Sequence, residues 1–261
     1  MAGTLKSRKD GPLGWLTIDN PQRHNAMSYE MWAMLPMVLQ DMESDPSVRV
    51  IVLHGAGDRA FVSGADISEF DQKRGSADAV KQYDEVSKTA QKCLRNFSKP
   101  TIAMIRGFCV GGGLAMALEC DLRIASTDAR FGIPAAKLGL GYNYDGIKHL
   151  TDIVGPAKAK EVFFTGQLFT ATEAHQMGLI TTMVPSSDLE PHTAQYATLI
   201  AENAPLTIKA AKYAIGETGK DDGSRDLDKA QALIDACFAS SDYVEGRQAF
   251  KEKRKPNFQG R

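Results

Sequence analysis

Apolar positions along this chain switch between a period of two and a period near four, and the switches sketch the elements. Leu13-Gly14-Trp15-Leu16-Thr17-Ile18-Asp19 alternates as a half-buried strand does, and Asn20-Pro21 ends it. Ser28 is placed to cap a helix with Glu30 in its first turn and Trp32, Leu35, Val38 and Leu39 on one face. Pro36 is expected to bend that helix or split it in two. Residues 48–54 predict a second strand, and residues 60–67 are a run in which small residues follow a strand. Residues 71–79 are polar and read as a connection, with a helix over about 80–96. Thr101–Ile105, bounded by Pro100 and Gly107, predicts a buried strand; residues 114–118, all good helix formers, predict a buried helix. Residues 122–125 and 129–134 are extended, 138–146 form a loop of glycines and polar aromatics, and 158–165 and 172–177 are helical. From Leu189 onward the pattern is wholly helical, with Pro205 opening one segment and a last helix over 242–255. The expected class is α/β: a core over residues 1–195 and a helical region over 196–261, in one continuous domain without a clear internal repeat.

Composition narrows the function classes. A chain of 261 residues with 43% hydrophobic and 24% charged content has ample length for a large core. A net charge of −1 offers nothing to nucleic acid or to an acidic membrane surface. Cys93, Cys109, Cys120 and Cys237 form no Cys-x-x-Cys pair, and five scattered histidines give no metal-ligand spacing, so no metal site is expected. Residues 1–11 carry basic groups but no apolar stretch of the kind a signal peptide needs, and no run reaches the length of a membrane span. The expected location is cytoplasmic, with buried, reduced thiols.

The candidate chemistry starts at Gly111-Gly112-Gly113, between the strand at Thr101–Ile105 and the helix after it. A glycine turn feeding a helix leaves amide N–H groups without partners, with the positive end of the helix dipole behind them. Such a place favours an anion, or a carbonyl oxygen on its way to becoming one. The spacing is neither Gly-x-Gly-x-x-Gly nor a P-loop, so nucleotide cofactors are not indicated. The turn reads as half of an oxyanion hole.

Five segments in order are similar to one family. Arg23-His24-Asn25-Ala26-Met27, Ala60-Phe61-Val62-Ser63-Gly64-Ala65-Asp66-Ile67, residues 107–113, Cys120-Asp121-Leu122-Arg123-Ile124-Ala125 and the tail over 250–258 resemble the crotonase, or enoyl-CoA hydratase/isomerase, superfamily. The resemblance implies a spiral of ββα turns with a C-terminal helical trimerisation region, and a homotrimer or dimer of trimers. It implies an acyl-CoA thioester as ligand, with no cofactor beyond the coenzyme A moiety. The two oxyanion amides would fall on Ala65 and Gly112. The coenzyme A nucleotide and pantetheine would lie along the loops carrying Arg23, Ala26, Ser63, Asp66 and Ile67, with Arg59 near the phosphates. The basic residues 251–255 would either approach the same moiety from a neighbouring subunit or form a solvated helix end.

The family's hydratases use two glutamates as general acid and base; here those positions hold Ala115 and Ala135. Gly141-Tyr142-Asn143-Tyr144-Asp145-Gly146, its continuation to Thr151, residues 160–165 and residues 241–246 resemble the methylmalonyl-CoA decarboxylase branch, in which Tyr142 would stand over the substrate carboxylate. That branch keeps a glutamate at Ala115 and a histidine at Ala65. Loss of CO2 from a malonyl-type thioester needs an electron sink and a poorly solvated carboxylate, which two amides and an alanine pocket would supply. Decarboxylation is therefore the preferred expectation. A hydratase or isomerase using Asp145 as an unusual acid–base group, and an inactive acyl-CoA-binding trimer, are the alternatives; Asp145 also reads as a plain turn residue.

Overall fold

The computed structural model describes residues 3–66, 69 and 77–261. Its frame is a sheet of six strands among the described residues: β1 (Thr4–Asp10), β2 (Leu13–Asp19), β3 (Val50–Gly55), β5 (Thr101–Ile105), β7 (Leu122–Ser126) and β10 (Thr182–Val184), in that spatial order. Only β1 and β2 are antiparallel; every later pair is parallel. β1 has no apolar alternation because it is a charged edge, and Lys6, Arg8, Lys9 and Asp10 keep it from recruiting another strand.

A second sheet runs β4 (Ala60–Val62), β6 (Phe108–Val110), β8 (Arg130–Gly132) and β9 (Phe169–Thr170). The chain alternates between the sheets: β3 then β4, β5 then β6, β7 then β8, each passage adding one parallel strand to both. Helices α2 (Ala77–Arg95) and α3 (Gly112–Leu118) close the first two passages. This is the expected spiral of ββα turns. It repeats in space without repeating in sequence, because each turn meets different neighbours.

Strand periodicity divides the core. Val50, Val52, Ile102, Met104 and Ile124 pack with Trp15 against Leu189, Ala197 and Ala201 of α6 (Leu189–Ala201), which spans the 195/196 division read from the sequence. Ile51, Leu53, Ala103 and Ile105 point the other way, into the larger core shared with α1 (Tyr29–Ser44) and the second sheet. Of the two outcomes expected at Pro36, splitting does not occur: α1 runs through it as one helix, with buried Leu35, Leu39 and Met42 on its inner face. The loop expected over 138–146 is also shorter. A 3-10 turn occupies Pro134–Leu138, Gly139 ends it, and Asn143 caps α4 (Tyr144–Thr165) by accepting from Gly146 N at 2.8 Å. Gly155 kinks α4 midway.

Short helix α5 (Ala171–Gln176) leads to β10, and α7 (Pro205–Thr218), α8 (Leu227–Ala239) and α9 (Ser241–Glu252) follow α6. Lys212 on α7 donates to the Asp121 carboxylate at 2.8 Å, and Asp121 accepts from Thr101 N at 2.7 Å, tying this region to β5. Asp242 accepts from Gln259 N and Gly260 N, folding the tail back on α9. Ile234, Phe238, Tyr243 and Phe250 are exposed and line an apolar groove of about 870 Å³. No helix among the described residues is long and apolar enough to cross a membrane.

Candidate active site

Two corners of the second sheet meet. Residues 63–66 follow β4, and residues 111–113 follow β6, its parallel neighbour. Gly113 is where they press hardest, since a methyl there would lie 2.0 Å from the Val62 carbonyl oxygen. Gly111 caps α3 at φ 54°, a left-handed conformation that β-carbon sterics disfavour, while its N–H donates to Gly132 O at 2.8 Å. These two glycines set the corner, and Gly112 opens α3 beside it.

The structure brings Ala65 and Gly112 close together. A β-carbon built on Gly112 would sit 3.6 Å from Ala65 N, and one on Gly64 would sit 3.8 Å from Gly112 N. Met27 pairs with the residues either side of Ala65, donating to Gly64 O and accepting from Asp66 N, both at 2.9 Å. Ala65 therefore turns its own N–H the other way. Among the described residues neither the Ala65 nor the Gly112 N–H has a protein acceptor. Two adjoining amides of this kind, one at a helix start, suit a single oxygen that gains negative charge.

The loop residues assigned to the coenzyme A moiety form one patch. Arg23 pairs with the buried carboxylate of Asp66. Ser63 Oγ donates to Arg23 O at 3.2 Å, and Ala26 O accepts from the Asn20 amide at 2.9 Å. Arg59 is exposed on the rim of an adjacent cleft of about 290 Å³ that His24, Asn25 and Asp58 also line. Ile67 lies outside the described residues. Asn25 was not singled out by sequence reasoning, yet its amide donates to Ala56 O and Ala60 O while its oxygen accepts from Asn20 N. Those three bonds hold His24 and Asn25 at positive φ; an asparagine beside a short helical turn was the available signal. The basic tail pairs with its own chain: Arg254 with Glu245 and Glu252, Lys255 with Glu202.

Ala115 and Ala135 are both buried. Tyr142 packs on Phe163 with ring centroids 5.0 Å apart; burial, and secondarily the Glu119 charge, push its phenol up to about 12. Asp145 is not in a turn before Gly146 but in the exposed first turn of α4.

Beyond Ala115 lies a cluster that the sequence motifs left out. Glu119 caps the end of α3 with its side chain 3% exposed; Arg95 donates to it at 2.7 and 2.8 Å, and His149 Nδ1 at 3.0 Å. Burial works to raise the Glu119 carboxyl, but the bonds from Arg95 and His149 outweigh it and hold it below the ordinary glutamate range.

Comparison with known proteins places this geometry. The model of the enoyl-CoA hydratase/isomerase family matches residues 9–261. A short-chain-enoyl-CoA hydratase from Clostridium acetobutylicum is 34% identical over 247 residues, covering 95% of this chain and 94% of that protein. A crotonyl-CoA hydratase from Syntrophomonas wolfei is 32% identical over 250 residues, covering 96% and 95%. The crystal structure of an enoyl-CoA hydratase/carnithine racemase from Magnetospirillum magneticum superposes with a TM-score of 0.92 at 33% identity, covering 98% and 96%. The chain belongs to the enoyl-CoA hydratase/isomerase family, the crotonase superfamily.

Proposed function

We propose that the protein binds a short enoyl-CoA thioester at the Ala65–Gly112 corner and adds water across its double bond, through the enolate that forms when water attacks the β-carbon and that is then protonated at the α-carbon. The observation that carries this reading is the pair of adjoining amides without protein acceptors. Each would donate to the thioester oxygen, drawing charge into it as a nucleophile attacks the β-carbon. One such donor is worth about 3–4 kcal/mol of transition-state stabilisation. Arg23, Ala26, Ser63, Asp66 and Arg59 would seat the coenzyme A moiety, and no other cofactor is needed. The relatives named as hydratases favour hydration over the decarboxylation expected from the loop motifs.

Decarboxylation is kept as a second reading on one observation. Tyr142 is a neutral phenol at any physiological pH, on a buried face whose other two family acid–base positions are alanines. A malonyl-type carboxylate there would meet one donor and few other polar partners.

Mass-spectrometric screening of purified protein against crotonyl-CoA, methylmalonyl-CoA and malonyl-CoA tests both readings. Hydration of crotonyl-CoA supports the first, and CO2 loss abolished by Tyr142→Phe supports the second. Binding of all three without turnover would refute both and leave an inactive acyl-CoA binder. The family resemblance also implies a homotrimer or dimer of trimers. The exposed apolar groove on α7–α9 supports such an assembly, and light scattering in solution tests it.

A further inference from the structure

Hydration needs a group that takes a proton from water and returns one to carbon, and Ala115 and Ala135 supply neither. One helical turn deeper the chain carries such a group. Glu119 follows Ala115 by four residues, so the two side chains leave α3 on the same face. The sealed Glu119 carboxylate accepts from both Arg95 and His149 Nδ1, which fixes the imidazole tautomer and leaves the Nε2 lone pair available. His149 is 21% exposed, and its Nε2 has no protein partner among the described residues. Nor is that nitrogen sealed off, in contrast to the buried, unpartnered Nε2 of His192.

We propose that His149 is the proton-handling group of this site, with Glu119 as its positioning residue and Arg95 as the clamp on Glu119. The assignment rests on the enolate reading above. Alanine at 115 and 135 is shorter than glutamate, and a base acting through one water is within the reach general catalysis allows. Nε2 accepts a proton as the water oxygen bonds to the β-carbon. The double-bond electron pair moves into the thioester, and the enolate oxygen rests between the Ala65 and Gly112 amides. Nε2–H then returns a proton to the α-carbon as the carbonyl re-forms. One water is consumed, and the imidazole ends neutral.

Arg95 answers the charge of Glu119, so the carboxylate stays anionic and can stabilise the charge the ring takes on with a proton. The other titratable and charged groups around His149 are Tyr142 in the preceding loop and Asp145, Lys148 and Asp152 on its own helix, the last two paired with each other. Asp145 acts on Arg95 through its charge. A purely structural trio would pin α4 to α3 without affecting any pH profile.

The test uses crotonyl-CoA hydration and exchange of the α-protons of butyryl-CoA in D2O, with butyryl-CoA affinity by calorimetry, for wild type, His149→Gln and Glu119→Gln. His149→Gln is expected to lose about 100-fold or more in kcat in both assays, to keep KM and Kd within about threefold, and to lose the acid limb of the pH profile. Glu119→Gln, which frees the imidazole to turn, is expected to lower kcat about tenfold in both assays with KM and Kd kept within about threefold. His149→Gln turnover within threefold of wild type, with the limb intact, overturns the assignment alone. If His149→Gln does not fold, Glu119→Gln decides: kcat within threefold of wild type in both assays overturns the assignment. Wild type that binds butyryl-CoA yet neither exchanges nor hydrates refutes the enolate reading itself, and the assignment with it.

Discussion

Replacing Gly113 by alanine isolates the corner on which the proposed chemistry stands. The added methyl would lie 2.0 Å from Val62 O, 2.7 Å from Val62 C and 2.8 Å from Val62 Cβ. Two of those atoms are strand backbone with no rotamer to yield, so α3 must move. Restoring the carbon–oxygen contact to ~3.3 Å, somewhat inside the carbon–carbon optimum, displaces the start of the helix by ~1.3 Å. Overpacking of this kind costs about 1–3 kcal/mol, or a fall of roughly 2–12 °C in Tm for a chain of this size. The displacement also carries the Gly112 amide away from Ala65. A misplacement of about 1 Å is worth about 100-fold in rate. Thermal unfolding by circular dichroism and crotonyl-CoA hydration followed in the ultraviolet read the two effects. Gly112→Ala is the control for stability, because its methyl meets nothing closer than Ala65 N at 3.6 Å; its Tm should equal or exceed that of the wild type. A Gly113→Ala protein with Tm within 1 °C and turnover within threefold of wild type would refute the close-packing argument.

Three further outcomes follow from the same geometry. Arg59→Ala should raise KM for crotonyl-CoA about fivefold with kcat little changed, and added salt should narrow the gap, as for an exposed cation meeting phosphate; equal KM values at low salt would remove Arg59 from the ligand path. Iodoacetamide should label Cys93 in the native protein but spare Cys109 and Cys120, since burial drives both thiols up, that of Cys120 to about 12; peptide mass spectrometry reads this, and native labelling at Cys109 would contradict it. Glu119, held below its ordinary range when folded, contributes stability that is complete above the unfolded glutamate range and is lost as pH falls through its folded value. Glu119→Gln should therefore flatten the loss of Tm on acidification below about pH 4 relative to wild type; parallel curves would show that Glu119 carries no such linkage.

Much of the frame was legible in the chain, and the reasons differ by element. Thr101–Ile105 and Leu13–Asp19 were readable because each side of the sheet buries one phase of the alternation. β1 was hidden by its charges, and β9 and β10 by their two or three residues. The first turns of α4 read as loop because Gly139, Gly141 and Gly146 mask the helical period, whereas the cap at Asn143 is a local bond that composition does not reveal. The meeting of Ala65 with Gly112 was implied by the family resemblance, and the small residues at both corners are what close backbone approach demands. The Glu119 cluster was not legible, since its partners lie 24 and 30 residues away on two other helices. Only the fold joins them.

The anchoring of the two corners has a consequence for how such a protein changes. Gly111 is tied to β8 through Gly132, and Ala65 is carried by the segment that pairs with Met27, so each donor hangs from a different part of the scaffold. Neither donor belongs to a side chain, and point substitution can shift such a cradle without deleting it. The residues lining it are under no such constraint. On the proposed reading, acid–base chemistry can therefore be exchanged in place, one side chain at a time, while the electron sink persists beneath every intermediate version.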